Sequence, residues 1–200
     1  MLRGVADLHA PAGDVDLLVA PADGPRLAAA ADRLGFARLP ARRRGSHAFY
    51  LAYDPDGDLW LKLDVVTELA FGPKFELPSA AAADCLRRRH RASGVPVLAR
   101  PDAFWALLLH RLLDRGRIGD AARELRRLAA DPDCADSPLA REVDELGAPG
   151  CASAVLLDAA RRGQWERLEA LAPELAAAWA RARRGAVRRR RAVARLWRLA

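Results

Sequence analysis

The first part of the chain alternates apolar and polar side chains with the two-residue period that is typical of β-strands. A helical spacing of leucines and alanines interrupts this alternation once and ends at Gly35. The turn-forming run at residues 54–58 indicates a hairpin between the last two strands. The pattern therefore predicts a small mixed sheet with a flanking helix, from strands at about 14–20, 36–39, 46–53 and 59–67 and a helix at about 22–34.

The second part of the chain has the apolar spacing of helices almost throughout. A segment rich in Pro and Gly at 68–79 links the two parts, and one short extended piece is expected at Val95–Leu98. The predicted class is α+β, with an α/β core at residues 1–78 and an all-helical region at residues 79–200 that ends in a basic helix. Its helices are predicted at about 80–91, 101–115, 118–130, 138–146, 149–161, 164–171 and 173–198.

Two strands of the predicted sheet carry acidic side chains within apolar sequence. Asp14 and Asp16 share one face of the first strand, about 6.6 Å apart along the backbone, and Asp64 stands alone in the strand at 59–67. Carboxylates on a buried strand are destabilising unless a cation neutralises them. Mg2+ is the expected cation because it takes oxygen ligands. If the two strands are neighbours, the three carboxylates converge on a metal site.

Six short motifs follow one another over residues 2–130. They are Leu2-Arg3-Gly4, Gly13-Asp14-Val15-Asp16-Leu17-Leu18-Val19, Leu34-Gly35-Phe36, Tyr53-Asp54-Pro55-Asp56-Gly57, Leu63-Asp64-Val65-Val66-Thr67 and Leu107-Leu108-Leu109-His110. The ordered set resembles the DNA-polymerase-beta-like nucleotidyltransferase superfamily, in particular its small, uncharacterised bacterial branch. The resemblance implies a nucleotidyltransferase-like fold for residues 1–78, with the first strand beside the strand of Asp64.

The resemblance also implies a site for Mg2+ and a nucleoside triphosphate such as ATP. Asp14 and Asp16 correspond to metal ligands, and Asp64 corresponds to a third acid that completes the metal site or deprotonates an acceptor hydroxyl. The turn that binds the nucleotide phosphates would fall at Gly4-Val5, where valine stands in place of the serine of the family. The implied reaction is Mg2+-dependent transfer of a nucleoside monophosphate to an unknown acceptor hydroxyl.

Four further residues adjoin the acids in the sequence or in the predicted sheet. Gly13 precedes the first acid and leaves the backbone there open to a ligand. Lys62 lies two residues before the third acid and on the same face, where it either neutralises nucleotide phosphate or forms an ion pair with one of the acids. His47 and Tyr50 of the third strand either border the site or occupy a half-buried edge.

A non-catalytic role is the second hypothesis. The serine missing at Val5 and the short sequence before Gly4 favour a binding or regulatory module of this fold, which assists a kinase or a glycan-assembly enzyme. Proteins that resemble this chain often continue into a P-loop domain similar to thymidylate kinase. No Gly-x-x-x-x-Gly-Lys-Ser/Thr motif occurs in these 200 residues, so a P-loop kinase is expected as a separate partner.

The chain is strongly basic, with a net charge of +7 and 33 basic residues, nearly all of them arginine. A basic surface favours anionic partners such as a nucleoside triphosphate. The turn at Arg42-Arg43-Arg44 and the stretch Arg181–Arg198 concentrate this charge, and the latter suits an anionic membrane surface or nucleic acid. Trp179 and Trp197 are the only aromatic residues in or next to that stretch, which argues against nucleic acid as a partner.

Three widely spaced cysteines, Cys85, Cys134 and Cys151, lack the spacing of a zinc site and argue against a disulfide framework. Buried thiols in a reducing compartment are expected instead. The N-terminus has no basic-then-apolar leader, and no run of about 18 uncharged apolar residues suits a membrane span. The expected location is therefore the cytoplasm.

Overall fold

A computed structural model describes residues 14–40 and 46–196 of the chain, the last three by their backbone alone. The architecture is mixed α+β, as predicted, with the long helices in the C-terminal part. The chain divides into two compact units. The first unit holds the residues up to Leu69 together with Ala82–Leu98, and the second holds Ala70–Ala81 together with the chain from Ala99 onward. The predicted division at residue 78 falls inside a segment of the second unit.

The first unit is built on a four-stranded sheet. Its strands are β1 (Val15–Leu18), β2 (Ala37–Leu39), β3 (Ala48–Asp54) and β4 (Leu59–Val66). Their spatial order is β1-β4-β3-β2, with β1 parallel to β4 and the other neighbours antiparallel. The predicted β3–β4 hairpin is therefore confirmed, and so is the predicted placement of the first strand beside the strand of Asp64.

One face of this sheet packs against the helix α1 (Gly24–Arg33). The side chains that face α1 form a hydrophobic core. Because side chains alternate along a strand, the polar residues between them lie on the other face of the sheet. Tyr50 is part of the core and is only 4% exposed, so it does not border the acids. The core consists of Ala31, Tyr50 and Val65 with Leu17, Val19, Leu27, Ala28, Phe36, Ala48 and Leu63 packed around them.

The predicted helix at 80–91 is too long at its C-terminal end. The helix α2 spans Ala82–Arg88 and is followed by a short hairpin of β7 (His90–Ala92) and β8 (Val95–Val97). Ser93 and Gly94 form its two-residue turn, with φ of +49° and +81°, and positive φ at both central residues is what a tight hairpin of this type requires. Strands of three residues are too short for their alternation to be recognised in the sequence.

A second short hairpin lies in the segment predicted to be a linker. Its strands β5 (Ala70–Phe71) and β6 (Leu77–Pro78) pair within the second unit. Glu142, which is 4% exposed, holds the chain just after this hairpin. Its carboxylate accepts hydrogen bonds from the Ser79 hydroxyl and, at 3.0 Å, from the Ala80 N–H, and it pairs with the Arg183 guanidinium at 2.6 Å. The hairpin is therefore attached to the helical part by a partly buried polar network.

The rest of the second unit is helical. The helix α3 (Arg100–Leu109) continues directly into a π-helical turn at His110–Arg115, and Gly116, with φ of +66°, ends it. The Trp105 indole of α3 is fully buried and donates to the Cys134 carbonyl at 2.7 Å. Among the described residues, no helix is both long and apolar enough to cross a membrane. The helices are α3 (Arg100–Leu109), α4 (Ala122–Ala129), α5 (Pro138–Asp144), α6 (Ser153–Arg161), α7 (Trp165–Ala182) and α8 (Arg184–Leu196).

The predicted helix boundary at Pro173 is wrong. α7 continues through Pro173, and the boundary lies ten residues later, at Arg183. Proline inside a helix removes one backbone hydrogen bond and clashes with the preceding turn, which favours a break when the helix is isolated. Here the stripe of buried residues runs without interruption past the proline, so packing on the helical unit outweighs the local defect. The stripe consists of Leu168, Ala172, Leu175, Ala178 and Trp179.

All three cysteines lie buried, as predicted, and are thiols. Burial raises the pKa of the Cys134 thiol to about 11, and the neighbouring carboxylate of Asp131 adds to the shift. Burial also raises the pKa of Cys151. Because the thiolate is the reactive form, Cys134 and Cys151 are unreactive for two reasons: a reagent cannot reach them easily, and few of the thiols are ionised.

We therefore expect the native protein to react slowly with a thiol reagent at about pH 8, and the urea-unfolded chain to expose three reactive thiols. Cys134 is held neutral above its ordinary pKa of 9.0, so its contribution to stability is complete below that pH and is lost as the pH rises toward about 11. Ellman titration and urea unfolding at several alkaline pH values measure the two effects. Fast labelling of all three thiols in the folded protein would contradict this expectation.

Candidate functional site

The face of the four-stranded sheet opposite α1 carries the acids, and we call it the acid face, defined by Asp14, Asp16, Lys62 and Asp64. Asp16 and Asp64 are direct partners in the parallel register of β1 and β4. Neighbouring strands lie about 4.8 Å apart, so two side chains at the same register stand next to each other. The sequence separates these two acids by 48 residues, and the sheet brings them side by side.

Asp14 precedes β1 and forms an ion pair with Lys62 of β4. Of the two alternatives that the sequence leaves open for Lys62, this is the one that the structure contains. The contact places Asp14 on the acid face, since Lys62 and Asp64 alternate with the core residues of β4. The Lys62 ammonium also lies 5.2 Å from the centroid of the Phe49 ring, within the range of a cation–π interaction. Both side chains of the ion pair are partly exposed, at 35% and 47%.

His47 is the partner of Asp64. Its Nδ1 atom lies 2.7 Å from Asp64 Oδ1, and the two side chains are only 13% and 18% exposed. A protonated Nδ1 donates in this contact and fixes the orientation of the carboxylate. Sequence analysis left the position of His47 open, although a signal was present. The β3–β4 register pairs Phe49 with Asp64, and His47 is two residues from Phe49 on the same side.

The donor set of the acid face suits a hard divalent cation, because it consists of three carboxylates. The described residues nevertheless contain no group of three His, Cys, Asp or Glu side chains already positioned to hold a metal ion. Two of the three acids have partners within the protein, since Asp14 is paired with Lys62 and Asp64 with His47. A cation at these acids therefore has to displace the Lys62 ammonium from Asp14.

A pocket of about 550 Å3 lies on the other side of the sheet, between α1 and the edge of β2 and β3. Its lining is mainly apolar and includes Leu27, Ala28 and Val65, which also belong to the core. Its polar groups come from Arg38, Ser46, His47, Tyr50 and Thr67. None of the three acids lines this pocket, but His47, the partner of Asp64, does, so the pocket adjoins the acid face at the start of β3.

Several residues singled out in the sequence lie elsewhere. Gly4, Gly13 and the turn at 42–44 fall outside the described residues. His110 belongs to the second unit, where its Nδ1 lies 2.8 Å from Asp114 Oδ2. The other oxygen of that carboxylate accepts from the Gly72 N–H at 2.6 Å, so this pair anchors the β5–β6 hairpin.

The basic helix α8 uses part of its charge internally. Val187 is 3% exposed and faces the body of the second unit. The Arg190 guanidinium donates to the Phe75 carbonyl at 2.9 Å, and that of Arg191 lies 3.6 Å from the Glu76 carboxylate. Arg188 and Arg189 are exposed. The helix is therefore packed along one side.

Comparison of the chain with family models, with curated proteins and with solved structures finds no match.

Proposed function

We propose that this protein is a Mg2+-dependent nucleotidyltransferase, which transfers a nucleoside monophosphate from a nucleoside triphosphate to an unknown acceptor hydroxyl. The observation that carries the proposal is the register of β1 and β4, which sets Asp16 beside Asp64. Asp14 adds a third carboxylate on the same face. The motif resemblance supports the same conclusion independently of the structure.

The three carboxylates would hold Mg2+, which when bound neutralises charge on the attacking and leaving oxygens of the phosphoryl group. This assignment fits the donor chemistry, since all three side chains offer the oxygen ligands that Mg2+ prefers. It requires Asp14 to exchange its partner Lys62 for the cation.

The other residues of the acid face have roles that follow from their contacts. Lys62, released from Asp14, offers its ammonium to a phosphate oxygen. His47 holds Asp64 through Oδ1, which leaves Oδ2 either to complete the metal site or to accept the proton of the acceptor hydroxyl. The acceptor oxygen forms a bond to the α-phosphorus as the bond from that phosphorus to pyrophosphate breaks.

A second candidate function is a non-catalytic module of the same fold, which binds or regulates a partner such as a P-loop kinase. The contacts favour it, because Asp14 already forms an ion pair with Lys62 and Asp64 a hydrogen bond with His47 within the protein. In this case the acid face is a structural feature, and no nucleotide is needed to neutralise it.

Isothermal titration with ATP, GTP, CTP and UTP in the presence of Mg2+ tests the first function. We expect at least one of them to bind with a Kd below about 1 mM, the upper end of ordinary substrate affinities, and we expect EDTA to abolish that binding. If a well-folded sample binds none of the four, the enzymatic proposal fails. Recovery of one stable protein partner from the same sample then supports the non-catalytic module.

A further inference from the structure

Two aromatic side chains stand open to solvent on the acid face. Trp60 of β4 is 62% exposed and Tyr53 of β3 is 46% exposed. The two residues are direct partners in the β3–β4 register, and their ring centroids lie 5.1 Å apart. Other large aromatic residues of the chain, such as Trp105 and Trp179, are fully buried. An exposed pair of rings beside polar groups is characteristic of a binding surface.

The pair shares its face with the acids because of the two-residue period of the strand. Trp60, Lys62 and Asp64 alternate with core residues along β4 and project from the same side. Four residues of strand separate Trp60 from Asp64, which corresponds to about 13 Å. A planar ring at Trp60 is thus about 6.6 Å along the strand from Lys62 and about 13 Å from Asp64.

The orientation of the rings is held by the hairpin tip. The Tyr53 hydroxyl donates to Asp58 at 2.6 Å, and the ring lies against Trp60 at an interplanar angle of 47°. The immobilised pair loses little conformational freedom when a ligand binds, which favours affinity.

We propose that Trp60 and Tyr53 form the stacking platform for the nucleobase of the nucleoside triphosphate; this inference rests on the proposed function. Every nucleobase offers a flat π-face, and stacking on an exposed aromatic side chain is tolerant of the identity of the base. The platform therefore supplies affinity for the nucleoside without selecting one base.

The charges on the acid face fix the direction of the ligand. Asp54, Asp56 and Asp58 surround the hairpin tip, so a triphosphate at that end meets like charge. Lys62 stands toward the other end, next to the carboxylates that would hold Mg2+. The base consequently lies at the tip end and the phosphates lie toward Asp64.

Two probes separate ring binding from phosphate binding. MgATP contains the ring, whereas Mg2+-tripolyphosphate lacks it. Stacking of one base on an aromatic side chain corresponds to about a tenfold gain in affinity or more, so Trp60→Leu is expected to weaken MgATP binding by that factor. The same variant is expected to bind Mg2+-tripolyphosphate as the wild type does, and Trp60→Phe is expected to recover most of the MgATP affinity.

Leu34→Ala is the matched control, since Leu34 is 74% exposed and follows α1 on the opposite side of the sheet. It should leave both affinities unchanged, and thermal melting of each variant checks that the β3–β4 hairpin is intact. Unaltered MgATP binding in Trp60→Leu overturns the platform and leaves the proposed function standing. An equal loss for both probes also overturns it, because the effect then does not depend on the ring.

Free adenosine without Mg2+ tests the platform when the wild type binds neither phosphate probe. The proposed function fails in that case. Adenosine that quenches the tryptophan emission of the wild type, and fails to do so in Trp60→Leu, still supports the platform. If adenosine quenches the emission of the wild type and of Trp60→Leu to the same extent, the stacking platform is overturned as well.

Discussion

Replacing Asp64 by asparagine is expected to reduce Mg2+-dependent triphosphate binding and turnover by at least about a hundredfold, since loss of even an outer partner of a metal ligand lowers affinity or activity 10–100-fold. The asparagine side chain has the same shape and keeps an oxygen that accepts from His47, so the contact to the imidazole survives. Only the negative charge is removed. The loss of function should therefore appear in a protein that folds normally.

Titration calorimetry with the triphosphate that the wild type binds measures this effect, and circular dichroism checks the fold. Asp32→Asn is the matched control, because it is the same chemical change at an exposed position of α1, away from the acids. Wild-type affinity for the Mg2+ complex in Asp64→Asn, with the control also unchanged, would refute the role of the acid face.

Glu142→Ala is expected to lower the free energy of unfolding by about 1–3 kcal/mol, the range found when a buried polar group loses its hydrogen-bonding partner. The substitution leaves the Arg183 guanidinium without its 2.6 Å partner and the Ala80 N–H without an acceptor. It also releases the Ser79 hydroxyl. The Arg183 guanidinium is 32% exposed and keeps Glu145 within 4.0 Å, so the expected loss is smaller than for a fully buried ion pair.

Urea unfolding monitored by circular dichroism measures this loss. Glu145→Ala is the matched control, since Glu145 belongs to the same region, is 69% exposed and lies 4.0 Å from the same guanidinium. An exposed pair contributes only about 0–1 kcal/mol, so the control should be nearly as stable as the wild type. Equal stability of the two variants would show that the network around Glu142 does not hold the 70–81 segment.

Three of the four strands of the sheet could be predicted because they are long enough to show alternation, and the three-residue β2 because it follows the helix end at Gly35. The same alternation predicted the face of its own strand on which each of Asp16 and Asp64 lies. In the sheet these two faces form one surface, with the two acids side by side. Pairing of the two strands does not follow from periodicity, and the expectation came from the chemistry of paired carboxylates and from the motif resemblance. The structure supports that step through the register of β1 and β4.

Other features depend on contacts that the sequence does not contain. β8 matches the extended piece expected at Val95–Leu98, but β5, β6 and β7 have two or three residues and show no period. Pro173 has the local chemistry of a helix break, and only the buried stripe on both sides of it explains why α7 continues. For Lys62 the sequence left open a nucleotide phosphate or one of the acids, and the contact with Asp14 depends on the register of β1 and β4.

The division of the chain has a consequence for how this protein can be cut, fused or recombined. The backbone passes between the two units three times, after Leu69, after Ala81 and after Leu98. A fragment that ends at residue 78 contains the β5–β6 hairpin, which belongs to the second unit. It lacks α2 and the β7–β8 hairpin, which belong to the first unit. A graft of the acid-bearing sheet onto another protein must therefore carry 82–98 with it and close the gap left by 70–81. Because the first unit consists of two separate segments, a gene that encodes it alone would have to join them directly. A gene for the uninterrupted chain encodes both units together.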